Sequence, residues 1–153
     1  MNHPAPTHDD LTLQIRQETL IRAGLEASFE ALLEQIGPAN ETPDGQPLPM
    51  TIEPHPGGRW FRDLGGGNGH LWGFVQSIKR PTLLEITGPL FMSYPVVSTV
   101  QYRLTETPDG TRLAFQHLAL GFVPDEVRSN LAEGWAPLHE RIRRRAESGA
   151  HIH

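Results

Sequence analysis

From residue 11 onward, apolar and polar positions alternate. Leu11, Leu13, Ile15 and Ile21 share one parity, and Thr12, Gln14, Arg16 and Glu18 share the other. A period of two predicts a half-buried strand over 11–21. The period then lengthens, and Leu25, Phe29, Leu32, Leu33 and Ile36 fall on one face of a helix. Gly37-Pro38 ends that helix, because Gly caps it and Pro cannot continue the turn. Residues 37–58 carry six prolines together with Gly37, Gly45, Gly57 and Gly58, which excludes a long helix or a central strand. They predict a long loop with a short edge strand near Met50 to Glu53. Such a loop is either a connector or a lid over a binding site, since long loops in compact domains are often functional.

Arg59 to Asp63 and His70 to Ile78 read as the arms of a hairpin around Gly65-Gly66-Gly67-Asn68-Gly69. Asn-Gly marks the turn, because both residues tolerate positive φ. These glycines do not form a nucleotide loop, since a strand follows them where a helix is required. Leu83 to Thr87 is a further strand, and Leu90 to Pro95 a partly buried apolar connection. Ser98 to Glu106 and Thr111 to Ala119 form the clearest hairpin, with Val100, Tyr102 and Leu104 on one arm and Leu113, Phe115 and His117 on the other. A connection of even length puts both apolar sets on one face, which sets Tyr102 opposite Phe115 or His117.

Pro124-Asp125-Glu126 opens the last element as a helix start. Val127, Leu131, Trp135, Leu138 and Ile142 then form one apolar stripe. Pro137 predicts a bend over 133–137, with Gly134 relieving it. Arg141, Arg143, Arg144 and Arg145 suit a solvated face near the negative end of the helix dipole. The resulting order is strand, helix, several strands and a long helix. It predicts an α+β fold in which a curved antiparallel sheet closes over the C-terminal helix. One domain is expected over 11–146, with a disordered tail at 1–10 and a frayed one at 147–153.

Composition narrows the chemistry. The chain has 153 residues, no cysteine and a formal net charge of -5. Thiol catalysis, disulfides and thiolate metal sites are excluded. The acidic balance argues against nucleic acid. No apolar run approaches the roughly 20 residues of a membrane helix, so no membrane insertion is expected, and the cytoplasm is the default compartment. Asn40-Glu41-Thr42 matches a glycosylation sequon but is read as coincidence. His151 and His153 make a poor metal site in a flexible tail, and His139-Glu140 lacks the second histidine of a zinc-protease motif. No metal and no cofactor are expected.

The order of elements, together with several short motifs, resembles the SRPBCC superfamily, the START-like or birch-pollen-allergen-like helix-grip fold. The carrying residues are Ile21-Arg22-Ala23 leading to Phe29, Pro56-Gly57-Gly58-Arg59-Trp60, Gly73-Phe74-Val75 and Ile78-Lys79-Arg80-Pro81 with Leu84. After these come Tyr102-Arg103-Leu104, Gly110-Thr111-Arg112-Leu113, His117 and Gly134-Trp135. Within the superfamily the chain is most similar to the branch named after the activator of the heat-shock chaperone (Hsp-ninety) ATPase. It departs from that branch at 37–56, which are longer and richer in proline. The resemblance implies a cavity between sheet and C-terminal helix, where members carry lipids, sterols, hormones or polyketides and some catalyse cyclisation or hydrolysis.

On this basis the chain is expected to bind a small apolar or aromatic molecule, with Tyr102, Phe115, His117, Leu131 and Trp135 as ligand-binding residues. His117 is a weak catalytic candidate. A buried histidine beside a phenol can act as acid or base, but the favoured reading is a core histidine bonded to Tyr102, the backbone or water. No carboxylate shares its predicted face, so no catalytic pair is expected. Trp60 and Trp72 flank the glycine-rich turn, lining an entrance or packing on one another. Two alternatives to ligand binding are a cavity enzyme using His117 and a co-chaperone-like interaction module. The module would act as a homodimer through an exposed sheet edge or the Leu90 to Pro95 segment.

Overall fold

Alternation becomes register in the computed structural model, which describes residues 9–149. After a 3-10 turn at Asp9–Leu11, the strands are β1 Thr12–Ile21, β2 Thr51–Ile52, β3 Arg59–Gly65, β4 Asn68–Lys79, β5 Leu83–Gly88, β6 Val96–Thr107 and β7 Gly110–Gly121. The helices are α1 Leu25–Ile36, between β1 and β2, and α2 Asp125–Ser148. All strands join one antiparallel sheet in the order β1-β7-β6-β5-β4-β3-β2. The chain crosses from one edge to the other through α1 and the proline-rich loop, then returns strand by strand. Bulges between Trp60 and Phe61 and between Val75 and Ser77 bend the sheet locally. This is the expected helix-grip α+β fold. The parts of the expected tails at 1–8 and 150–153 lie outside the described residues, and His151 and His153 with them.

Parity decides what the sheet buries. Val100, Tyr102 and Leu104 of β6 and Leu113, Phe115 and His117 of β7 point inward and are buried. The β6–β7 connection has two residues, Pro108 and Asp109, between the pair Thr107 and Gly110, and Tyr102 faces Phe115. The expected even connection is therefore present. The β3–β4 turn differs in detail: Gly66 and Gly67 form it, with φ of 62° and 80°, while Asn68 pairs with Gly65 as the first residue of β4. Two consecutive positive φ values suit the right-handed twist of a hairpin, and glycine reaches them without a Cβ clash.

α1 and α2 pack on the inward face. Leu32 and Ile36 of α1 and Ile142 of α2 are completely buried. α2 runs unbroken through Pro137; the missing N–H removes one rung from the helix. The arginines near its end do not all form a solvated face. Arg145 reaches Gln35 Oε1 at 3.1 Å and Glu34 at 3.4 Å on α1. Arg141 donates to the carbonyls of Thr42 and Pro43 at 2.9 and 3.1 Å and pairs with Glu41 at 3.1 Å. Arg143 and Arg144 make the surface pairs, with Glu140 and Glu147.

The proline-rich loop is thus strapped to α2. It is also closed on itself, because the Leu48 N–H bonds the Asn40 carbonyl at 2.8 Å and Asn40 Nδ2 bonds the Leu48 carbonyl at 3.0 Å. Asn40 is buried, which keeps the sequon amide inside the fold. Truncating a completely buried residue of α2 tests this packing. Ile142→Ala should lower the unfolding free energy by about 2–5 kcal/mol, and Arg144→Ala by less than about 0.5 kcal/mol. Urea denaturation checks both, and equal effects would contradict the assignment of faces.

Candidate functional site

A cavity of about 470 Å³ lies between the strapped loop, the inward face of β3 and β4, and the N-terminal turns of α2. Helical spacing builds one wall: Val127, Leu131, Gly134, Trp135, Leu138 and Arg141 recur at three and four residues and so share a face. Trp60, Trp72 and Phe91 build the opposing side, and Asn40, Glu41, Thr42, Pro43 and Leu48 complete the enclosure. The loop expected as connector or lid therefore forms part of the cavity wall. Alternation puts Trp60 on the inward side of β3, and the buried Leu90 and Met92 anchor the segment that presents Phe91.

The aromatic rings form a continuous arc. Trp60 meets Trp72 edge to face at 5.0 Å, Trp72 meets Phe91 at 5.8 Å, and Phe91 meets Trp135 at 6.2 Å. Trp60 and Trp72 therefore do both things expected of them, packing on one another and bordering the cavity. Each indole N–H is engaged within the protein. Trp60 Nε1 donates to the Ile36 carbonyl at 2.8 Å, Trp72 Nε1 to His70 Nδ1 at 3.1 Å, and Trp135 Nε1 to His117 Nδ1 at 3.1 Å. The indoles thus give the cavity carbon surface and no donor. Its polar groups are Glu126, Asn130 and Arg141 of α2 and Asn40, Glu41 and Thr42 of the loop.

Of the five expected ligand-binding residues, Leu131 and Trp135 border this cavity. Tyr102, Phe115 and His117 are brought together with Trp135, but in the core behind it. Phe115 packs on Trp135 at 4.8 Å and on Tyr102 at 5.1 Å. His117 does not pair with Tyr102. Its Nε2 lies 2.8 Å from Ser98 Oγ, because Ser98 and His117 both point inward from neighbouring strands. An indole N–H only donates, so His117 Nδ1 is the acceptor from Trp135 and the ring proton sits on Nε2. Nε2–H then donates to Ser98 Oγ, and His117 cannot serve as a base toward that hydroxyl.

Tyr102 pairs instead with His139, a residue passed over in the sequence. Gln17 Nε2 donates to the Ala132 carbonyl at 2.7 Å, which turns Gln17 Oε1 toward His139 Nδ1 at 2.8 Å. His139 Nδ1 must carry the proton, so Nε2 accepts from the Tyr102 hydroxyl at 3.0 Å. The signal was present: residue 139 stands four beyond Trp135 and three before Ile142, inside the apolar stripe. Burial pushes the Tyr102 hydroxyl pKa up, and pushes His117 down to about 4 and His139 to about 3. Among the described residues, no three His, Asp or Glu side chains gather in a way that could hold a metal ion.

With the geometry in place, comparison is informative. Residues 45–147 match the family described as activator of Hsp90 ATPase homolog 1-like protein. The chain belongs to this family. No curated protein matches the chain in sequence. Solved structures share the fold of this family member at low identity. A Mesorhizobium loti protein is 21% identical with a TM-score of 0.66, over 90% of this chain and 99% of that one. Ara h 8.0201 is 15% identical with a TM-score of 0.63, over 90% and 99%. The di-domain ARO/CYC StfQ from the steffimycin biosynthetic pathway is 13% identical with a TM-score of 0.68, over 95% of this chain and 54% of that one. The SRPBCC helix-grip fold is common to them, and at these identities it is the fold that is shared.

The buried histidines make stability depend on pH. Both folded-state values lie below the ordinary 6.5, so beneath pH 6.5 the unfolded chain binds protons that the folded chain refuses. Stability is independent of these groups above that value and falls as the pH drops from 6.5 toward 4. Each histidine contributes up to about 1.4 kcal/mol per pH unit. Urea midpoints measured between pH 7.5 and 4.5 should decline below 6.5, and His139→Gln should roughly halve the slope. A flat profile would contradict the buried neutral histidines.

Proposed function

We propose that this protein binds a small apolar or aromatic molecule in the cavity beside α2. One observation carries the reading: a space of about 470 Å³ bordered by four aromatic side chains, with every indole N–H turned away from it. Pockets of about 300–1,000 Å³ lined mainly by apolar groups with a few polar ones are typical of small-molecule sites. The name of one fold neighbour, the di-domain ARO/CYC StfQ from the steffimycin biosynthetic pathway, supports an aromatic ligand as the first class to try. Fold alone does not carry activity, and the geometry supports binding over catalysis. His117 is absent from the cavity wall, and both its nitrogens are engaged in the core.

Self-association is the second reading, and one observation favours it. Val97 pairs with Leu120 and Thr99 with Leu118 across β6 and β7, on the face of the sheet away from the helices. Val97, Leu118, Leu120 and the neighbouring Phe122 are 54%, 38%, 57% and 59% exposed. Adjacent exposed apolar side chains of this kind mark interaction surfaces. A second copy presenting the same face would cover them.

Titration with the neutral fluorophore N-phenyl-1-naphthylamine tests the first reading. Saturable binding is expected, with Phe91→Ala weakening it roughly 3- to 10-fold. Absence of saturable binding, together with a native mass equal to the denatured mass, would overturn it. Sedimentation equilibrium tests the second: a dimer that Leu120→Lys converts to monomer is the expected result, and a wild-type protein monomeric at millimolar concentration would exclude it.

A further inference from the structure

Gly134 stands in the middle of α2, on the face that borders the cavity. Glycine is the poorest helix former after proline, because it has the most backbone freedom to lose. Among the described residues the buried glycines, Gly37, Gly58, Gly73 and Gly88, each have a steric reason. A Cβ on Gly73 would lie 2.8 Å from the Thr87 carbonyl oxygen, and one on Gly88 would lie 2.4 Å from that of Trp72. The half-buried Gly134 has none: apart from its own helix backbone, a Cβ built there meets no atom within 4 Å. Nor does Pro137 require it. The proline ring crowds the carbonyl of Glu133, four residues back, and leaves the Cβ position of Gly134 clear. The open space at Gly134 is the cavity itself.

We propose that Gly134 is the specificity-determining residue of the cavity, and that the ligand is a flat ring system. The inference rests on the ligand-binding reading above. Bare helix backbone at Gly134 gives a flat ligand a surface to lie on, where any side chain would project into the space it occupies. The aromatic arc has no free indole N–H to offer, so a ring lying against it meets carbon surface. Glu126 and Asn130 precede Gly134 by eight and four residues on the same helical face, and Arg141 follows it by seven, so polar groups flank the bare stretch of helix on both sides.

Gly134→Ala and Gly134→Leu separate this role from a structural one. Both replace glycine with a better helix former at a site where the first added atom touches nothing. Melting temperatures at or above wild type are therefore expected for both. Affinity should move the opposite way: Gly134→Leu should bind N-phenyl-1-naphthylamine and 2-naphthol at least about tenfold more weakly than wild type, with Gly134→Ala between. If wild type binds and Gly134→Leu binds equally well, the role of Gly134 is overturned while the cavity reading stands. A lowered melting temperature in Gly134→Ala would make the glycine structural. Failure of wild type to bind either 2-naphthol or the amine would sink the ligand-binding reading itself.

Discussion

Trp135 sits where the core meets the cavity, and its one hydrogen bond decides which side of it is polar. The indole N–H points into the core, to His117 Nδ1, which sets the proton of that ring on Nε2 and aims it at Ser98. Three polar groups from α2, β7 and β6 are thereby satisfied where water has no access, and an unsatisfied buried group would cost about 1–3 kcal/mol. The rest of the indole is left to border the cavity as carbon. A parallel chain through Gln17, His139 and Tyr102 ties α2 to β1 and β6 in the same way. The helix is held to the sheet by directional contacts as well as by packing, and these fix the rotation that presents Leu131, Gly134 and Trp135 to the cavity.

Much of the fold was legible in the sequence, because single elements announce themselves by period. Alternation at Val100, Tyr102 and Leu104 against Leu113, Phe115 and His117 fixed both the buried face and the even length of the connection. The four- and three-residue steps of α2 located its packed stripe. The candidate site was legible only in part. Inward-facing parity at Tyr102, Phe115 and His117 cannot separate core from cavity wall, since both lie on one face; depth behind Trp135 separates them, and depth is a property of three-dimensional packing. Trp60 and Trp72 could be named but not assigned, because their meeting depends on a bulge that shifts the register of β3 against β4. His139 was readable as core from its place in the stripe, but it had been weighed only against a zinc-protease motif that it does not complete. Arg141 and Arg145 looked solvated because a charged residue near a helix end has that default, and their partners lie about a hundred residues away in sequence.

The family sets the scaffold and leaves the chemistry to local differences. In this chain the departure is the proline-rich loop beside the cavity. That loop is too stiff and too short of free donors to form regular structure, and it becomes a wall because Arg141 engages its carbonyls. Glycine at 134 belongs to a motif shared with the family, and it gives up helix propensity where the gain is empty volume. A local choice that weakens an element without relieving any clash is the mark of a site rather than of a scaffold. The buried histidines belong to the scaffold, being neutral, fully bonded and remote from the space a ligand would occupy.

The central claim is that the indoles of Trp60, Trp72 and Trp135 bond inward and leave an apolar cavity for a ligand. Indole N–H resonances in a 15N-correlated NMR spectrum report on it directly. The account predicts that all three resonances exchange slowly with solvent in the free protein, and that all three shift together as naphthalene is added while remaining protected. Indole signals that exchange rapidly, or that stay unmoved while resonances of Val97, Leu118 and Leu120 on the outer face shift, would contradict it.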